Sequence, residues 1–205
     1  MSDISILQRL KAETRLHHER AERTVRLMEP GLTLEHYRHH LEALHGFYAP
    51  LEASLATRLM GLVPELRAAE RWKLPLLSRD LLALGHGAAS LCLLPRATSL
   101  PALKGLPEAL GCFYVLEGAT LGGQLILRHL QRHFSGCPAG DFVFFRAYGD
   151  NVGPMWRAFG EALTRICAGA ASEAFDMRVV QGAQDTFEAF ERWLRHEATQ
   201  AATLP

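Results

Sequence analysis

Residues 112–134, CFYVLEGATLGGQLILRHLQRHF, combine the apolar rhythm of an α-helix with glycines at Gly118, Gly122 and Gly123. Apolar residues recur at three- and four-residue steps along the whole stretch, which predicts one long helix. Each glycine inside a helix costs about 1 kcal/mol relative to alanine. A helix carries that cost where it bends, packs closely on another helix or lets a ligand lie against its backbone. The segment therefore predicts a core helix with one face that carries glycines instead of side chains.

The rest of the chain shares this helical periodicity, which is clearest in residues 4–28, 33–59 and 152–170. Clusters of Pro and Gly separate these segments, as expected of the ends of helices. Residues 142–148, FVFFRAY, have the composition of a strand, but the sequence offers no second strand to pair with them. The sequence thus predicts one all-α domain over residues 1–205, with seven or eight helices.

Composition narrows the function classes. The 205 residues are 48% hydrophobic, and 22 basic residues balance 22 acidic ones. Such a balance gives no global attraction to nucleic acid or to an anionic membrane surface, so neither is expected as a partner. The N-terminal residues lack an apolar leader, and the chain has no run of 18 uncharged apolar residues. We therefore expect a cytoplasmic protein.

Cysteine spacing argues against a structural metal or disulfide framework. Cys92, Cys112, Cys137 and Cys167 are scattered, with no C-x-x-C pair. We expect all four to be reduced thiols.

The first predicted helix carries a stripe of polar residues. Lys11, Thr14, Arg15, His18 and Glu22 follow three- and four-residue steps, so they share one helix face. An imidazole at His18 can offer Nε2 to a metal, while Glu22, one turn on, can accept a hydrogen bond from Nδ1–H, directly or through water, and fix the ring. Lys11 lies two turns from His18, about 10 Å along the axis. This layout suits a flat ligand with a central metal and carboxylates at one rim, as in heme; the alternative is the solvated face of an ordinary amphipathic helix.

The glycine helix supplies the other half of such a site. Gly118 and Gly122 are four residues apart and share a face. Without Cβ atoms, that face can approach a metal-bound diatomic ligand closely. The alternative is that these glycines permit close packing between helices.

Two stretches together resemble the heme oxygenase family. Residues 10–22, LKAETRLHHERAE, are similar to its proximal-helix signature, and residues 114–124, YVLEGATLGGQ, to its distal-helix signature, especially in bacterial members associated with bacteriophytochromes. Residues 37–52, 148–163 and 186–194 resemble further helices of the family. The resemblance implies a helical bundle with heme sandwiched between the proximal and distal helices.

The resemblance also implies roles for individual residues. It makes His18 the axial ligand of the iron, rather than His17, which points about 100° away around the helix. Lys11, Arg15 and Arg157 match positions where relatives place partners of the heme propionates. Glu22 orients the imidazole of His18, and Gly118, Gly122 and Gly123 match the distal glycines of the family.

One distal position departs from many relatives, which carry an aspartate directly after the first glycine. Here that residue is Ala119. Thr120 is the candidate hydroxyl to order distal water in its place, although a helical threonine usually bonds its own backbone.

The reaction implied by the resemblance opens heme to biliverdin, carbon monoxide and ferrous iron. Heme is both substrate and cofactor, O2 is the oxidant, and electrons come from a separate donor of ferredoxin or reductase type, since the sequence has no nucleotide-binding glycine fingerprint. A bacteriophytochrome is an expected recipient of the bilin.

Three alternatives are open at this point. A non-catalytic heme- or bilin-binding protein on the same fold is consistent with the missing aspartate. A di-iron oxygenase needs paired Glu-x-x-His steps, and only Glu42 with His45 forms one. A hydrolase needs a nucleophile that the sequence does not display.

Overall fold

The computed structural model describes residues 4–136 and 140–203, with side chains through residue 200. These residues form nine α-helices, three short 3-10 turns and no strand, which confirms the all-α prediction. The helices are α1 Ile6–Glu13, α2 Arg15–Thr24, α3 Leu34–Leu59, α4 Leu74–Ala83, α5 Ala88–Leu93, α6 Leu106–His133, α7 Val143–Arg146, α8 Val152–Ala170 and α9 Glu173–Thr203.

Helices α6 and α9 form the centre of the bundle, and two glycines set how closely they cross. A methyl group at Gly111 of α6 would collide with the Val179 carbonyl, and one at Gly182 of α9 would collide with the Glu108 backbone. Both glycines are buried. The two backbones are therefore in direct contact near the start of α6, because neither helix carries a side chain there.

Helix α3 closes another side of the core. The Trp193 indole of α9 donates a hydrogen bond to the Ala43 carbonyl of α3 at 2.7 Å. Gly46 of α3 lies beneath the Pro95 carbonyl, where a Cβ would collide. The apolar side chains between these helices, among them Phe47 and Phe113, are almost completely buried.

The first predicted helix is broken at Thr14. Its backbone has φ −101° and ψ 0°, which ends α1 and starts α2. The buried Thr14 hydroxyl donates to the Leu10 carbonyl at 2.7 Å. Thr14 is therefore not on the exposed stripe of Lys11, Arg15, His18 and Glu22. This break and the short α7 account for nine helices where the sequence predicts seven or eight.

The strand-like residues 142–148 contain a four-residue helix, α7. The Asp80 carboxylate accepts hydrogen bonds from the backbone N–H groups of Val143 and Phe144, each at 2.8 Å. A buried carboxylate thus satisfies the free N–H groups at the start of the helix, as a capping residue does.

Two other sequence features have a structural counterpart. Cys112 and Cys167 are buried free thiols and Cys92 is an exposed one, while Cys137 lies outside the described residues. Burial raises the pKa of the Cys112 thiol to about 12.

Helix α6 has the length and apolar composition of a membrane span, with a mean hydropathy of 1.3 over 18 residues. Half of that window is buried within the bundle, as expected of a core helix.

Candidate functional site

Beyond its crossing with α9, helix α6 presents an apolar face to the outside. Leu121 and Leu125 are 43% and 54% exposed. Ala119 and Gly122 are also exposed, and Gly118 is half-buried. At 100° per residue these five positions lie on one arc of the helix. The arc is a smooth apolar surface, which we call the glycine face.

Packing between helices does not explain the two glycines of this face. A Cβ at Gly122 would meet nothing within 4 Å, and one at Gly118 would meet only the Trp156 ring, at an ordinary 3.8 Å. Gly111, in contrast, has no room for any side chain. Gly118 and Gly122 thus keep an exposed surface free of side chains, whereas Gly111 serves the crossing of helices.

Gly123 lies on another side of α6. It is buried, and a Cβ there would lie 3.4 Å from the Phe145 carbonyl beside α7. Next to it, the Gln124 amide donates to the same carbonyl at 3.1 Å. Gly123 therefore has a packing role in this structure, and its assignment to the cofactor stays a prediction.

His18 of α2 is a ring with a free coordinating edge. Its side chain is 55% exposed, and Nδ1 lies 3.6 Å from a carboxylate oxygen of Glu22. That distance is too long for a direct hydrogen bond, but it leaves the carboxylate next to Nδ1. The Phe187 ring of α9 supports the imidazole edge-on at 5.9 Å. No hydrogen bond to Nε2 occurs within the described residues, so this nitrogen is available to a metal.

The neighbouring histidine is engaged elsewhere. His17 Nε2 lies 3.3 Å from the Glu188 carboxylate of α9, and its Nδ1 is buried without a partner. His17 therefore attaches α2 to α9, while His18 faces outward.

Helix α6 comes close to the Thr14 break through Tyr114. Burial raises the pKa of Tyr114, and an interaction with the Thr14 side chain opposes the increase. His18 follows Thr14 by one turn of α2, and Gly118 follows Tyr114 by one turn of α6. The histidine and the glycine face thus both lie one turn beyond the same contact.

The three basic residues predicted as carboxylate partners are all exposed. Arg15 forms an ion pair with Glu19 at 2.7 Å. Lys11 and Arg157 have no carboxylate partner among the described residues. Arg157 lines a groove of about 460 Å³ between α1 and α8, together with Trp156, whose ring also contacts Gly118. Lys11 and Arg157 are therefore available to an anionic ligand, whereas Arg15 has to leave Glu19 first.

Thr120 lies behind the glycine face. It is buried, and its hydroxyl donates to the Glu117 carbonyl at 2.7 Å. The side chain thus bonds its own helix, as threonines in helices commonly do. A role of the Thr120 hydroxyl in ordering distal water stays a prediction.

Sequence reasoning missed a buried charged cluster on the same helix. The Glu117 carboxylate accepts hydrogen bonds from Arg71, Lys73 and Tyr148, which come from two other segments, the one before α4 and the one after α7. Glu117 is 1% exposed, and Arg71 and Lys73 are 2% exposed. The only signal in the sequence is a glutamate within the apolar run FYVLEGATL.

The structure does not bring together a di-iron ligand set. Glu42 binds His86 at 2.7 Å, and His45 accepts a hydrogen bond from Arg96 at 2.8 Å. Within the described part of the chain, no three His, Cys, Asp or Glu side chains are grouped so that they could hold a metal ion.

The donor set fits heme in three respects. A free imidazole nitrogen beside a carboxylate suits a single axial ligand. The glycine face offers exposed leucines to an apolar macrocycle and leaves space beside the backbone. Lys11 and Arg157 are cations without a carboxylate partner in the part of the chain that the structure describes. The residues present define the class of a helical protein with a surface that could accept a flat metal-containing ligand.

Comparison with known proteins agrees with this class. The sequence model of the heme oxygenase family matches residues 4–196, and the chain therefore belongs to the heme oxygenase family. The fold is similar to that of the NO- and CO-bound heme oxygenase from Neisseria meningitidis, with a TM-score of 0.74 and 21% sequence identity over 98% of this chain and 96% of that one. No significant match to the chain was found among curated proteins.

Proposed function

We propose that this protein is an active heme oxygenase that converts heme to biliverdin, carbon monoxide and ferrous iron. O2 is the oxidant, and the electrons come from a separate donor of ferredoxin or reductase type. The observation that carries the proposal is the space left open over Gly118 and Gly122 on α6, together with an exposed histidine on α2 whose Nε2 has no hydrogen bond within the described residues.

The bound heme supplies the iron that activates O2 and the macrocycle that is cleaved. The protein's own groups bind and orient it. His18 Nε2 would hold the iron, and Glu22, 3.6 Å from Nδ1, would favour the form of the ring that carries its proton on Nδ1 and its lone pair on Nε2. Lys11, Arg15 and Arg157 bind the propionates.

On the other side of the heme, Gly118 and Gly122 let the α6 backbone approach without a side chain that competes for the iron. Leu121 and Leu125 exclude bulk water from the apolar part of the macrocycle. Thr120 and Gly123 complete the proposed distal residues, the first through its hydroxyl and the second through close backbone packing.

Ala119 favours a second candidate function. An exposed methyl group stands where many relatives place a proton-relaying aspartate. A heme- or bilin-binding protein without turnover is therefore the alternative.

Purified protein incubated with hemin, O2 and a reductant separates the two. We expect the heme absorption to decay and biliverdin and carbon monoxide to appear. A stable hemin complex that yields no biliverdin with either a ferredoxin system or ascorbate would favour the alternative.

We also propose where the reaction takes place and which protein receives its product. We propose a cytoplasmic location for the enzyme and a bacteriophytochrome as one recipient of the bilin. Transfer of biliverdin to a purified apo-bacteriophytochrome, followed by its red absorption, tests the second statement.

A further inference from the structure

The buried charged cluster of Glu117, Arg71, Lys73 and Tyr148, named here the Glu117 cluster, lies directly behind the glycine face. Glu117 and Gly118 are consecutive, so their positions on α6 differ by about 100°. The carboxylate points into the bundle while the glycine lies at the surface. Whatever fixes Glu117 therefore also fixes the direction in which Gly118 and Gly122 face.

The Glu117 carboxylate is held from two sides. One oxygen accepts from Arg71, and the other accepts from Lys73 at 2.8 Å and from the Tyr148 hydroxyl at 2.7 Å. Lys73 Nζ also donates to Tyr148 at 2.6 Å and to the Arg71 carbonyl. Its three protons thus have three acceptors. A fully satisfied buried network of this kind fixes one arrangement of the elements it joins.

The same cluster also positions the Trp156 ring of α8, which lies beside Gly118. Arg71 donates to the Met155 carbonyl of α8 at 3.2 Å and to the Leu66 carbonyl at 2.7 Å. Met155 precedes Trp156, whose ring forms the only contact that a Cβ at Gly118 would make within 4 Å. One guanidinium group therefore links the glycine helix to the aromatic ring beside it.

An anchor is needed here because three glycines weaken α6 over residues 118–123. Gln124 holds the far end of this stretch to α7 through the Phe145 carbonyl. The Glu117 cluster holds the near end. Between the two anchors the outer face carries only the glycines, Ala119 and Leu121, and the Leu121 side chain is 43% exposed, so packing on this side holds the backbone weakly.

We propose that Glu117 is a positioning residue for the heme reaction: the Glu117 cluster fixes the rotation of α6 so that Gly118 and Gly122 face the iron held by His18. This inference rests on the proposed function. It assigns a role on the distal side of the heme to a carboxylate that does not touch the ligand.

The test compares Glu117→Gln with Glu108→Gln. Glu108 is also a buried glutamate of α6, but it pairs with Arg178 on α9, far from the glycine face. Both substitutions remove the charge of a buried, paired carboxylate, although Arg178 is half exposed and the partners of Glu117 are buried. Both are therefore expected to lower the Tm of the apoprotein, Glu117→Gln by more. Only Glu117→Gln is expected to change the surroundings of the distal ligand.

Two readouts measure that change. Hydrogen exchange of the apoprotein is expected to accelerate several-fold over residues 118–124 in Glu117→Gln and to remain unchanged there in Glu108→Gln. In protein reconstituted with hemin, reduced and exposed to CO, the C–O stretching band is expected to shift or broaden in Glu117→Gln alone. The iron–histidine band is expected to stay at its wild-type position in both.

A C–O band that is unchanged in Glu117→Gln, or equally changed in Glu108→Gln, would overturn the positioning role. If Glu117→Gln does not fold, Tyr148→Phe removes one donor and retains both ion pairs, and it is expected to shift the band less but in the same direction; an unchanged band there counts against the proposal. Wild-type protein that binds no hemin would overturn the proposed function itself, whatever the exchange data show.

Discussion

At the scale of single residues, adjacent histidines have different surroundings because a helix turns by 100° between them. His17 lies against Glu188 of α9, while His18 lies exposed beside Glu22. Its position seven residues after Lys11 and four before Glu22, together with the family resemblance, predicts His18 as the ligand. The partner of His17 does not follow from spacing, because it lies 171 residues along the chain.

Replacing His18 by Ala is expected to remove the axial ligand and leave the fold intact, because the side chain is exposed. The ferric heme spectrum should lose its imidazole-ligated form and regain it when free imidazole is added. His17→Ala is the matched control: it should keep the wild-type spectrum and lower stability only slightly, since partly exposed ion pairs contribute about 0–1 kcal/mol. The opposite pattern would make His17 the ligand.

Charge reversal at Lys11 or Arg157 is expected to change which bridging carbon of heme is attacked, because each side chain is proposed to hold one propionate. An exposed ion pair contributes only about 0–1 kcal/mol, so heme rotation is expected more readily than loss of binding. Chromatography of the biliverdin isomers measures this. Arg58→Glu, at the exposed end of α3, controls for net charge. Wild-type isomer ratios in both Lys11→Glu and Arg157→Glu would contradict the assignment.

At the scale of helices, α6 uses glycines for two separate purposes. Gly111 permits the crossing with α9, and Gly122 borders open space. The sequence marks the second set by its clustering, GATLGG, but gives no sign that the isolated Gly111 makes the closest backbone contact. The Glu117 cluster was equally hidden, since its partners lie 31 to 46 positions away. Only the packing of the elements brings those charges together.

The two purposes predict opposite results for substitution by leucine. Gly122→Leu is expected to leave the apoprotein as stable as wild type, or about 1 kcal/mol more stable, because leucine is the better helix former and meets no neighbour. Its hemin turnover should nevertheless collapse. Gly111→Leu should strongly destabilise the apoprotein by overpacking. Thermal unfolding without hemin and biliverdin yield with it measure both. A destabilised Gly122→Leu with normal turnover would contradict the functional role of this glycine.

At the scale of the whole molecule, the all-helical bundle follows from the sequence, whereas the break at Thr14 does not. Thr14 fits the helical pattern of its neighbours, but its backbone has a ψ of 0° and its hydroxyl donates to the Leu10 carbonyl. A periodic pattern reports which face is apolar and does not report where the backbone of a helix is interrupted.

Stability of the whole fold is expected to fall on acidification. Burial, followed by the charges of Arg96 and His86, lowers the pKa of His45 to about 4. The unfolded chain binds this proton near pH 6.5, so stability decreases as pH falls from about 6.5 to about 4. Protonation of Nδ1 would also break the hydrogen bond from Arg96. In apoprotein melts across this range, His45→Gln should show a smaller decrease in Tm than wild type; an equal decrease would exclude His45 as a source of the pH dependence.

The break at Thr14 leaves the proposed iron-binding histidine on a short helix of its own. Within α2, all of which is described, Ala21 is the one buried residue, and the side-chain contacts with α9 are those of His17 with Glu188, His18 with Phe187 and Arg20 with Glu191. Such an element belongs to the parts of a protein that open at low free energy. The apparent affinity for the ligand is then expected to be the intrinsic affinity reduced by the fraction of molecules in which α2 is docked. The strength of these few contacts with α9 is thus expected to influence the loading and release of the ligand.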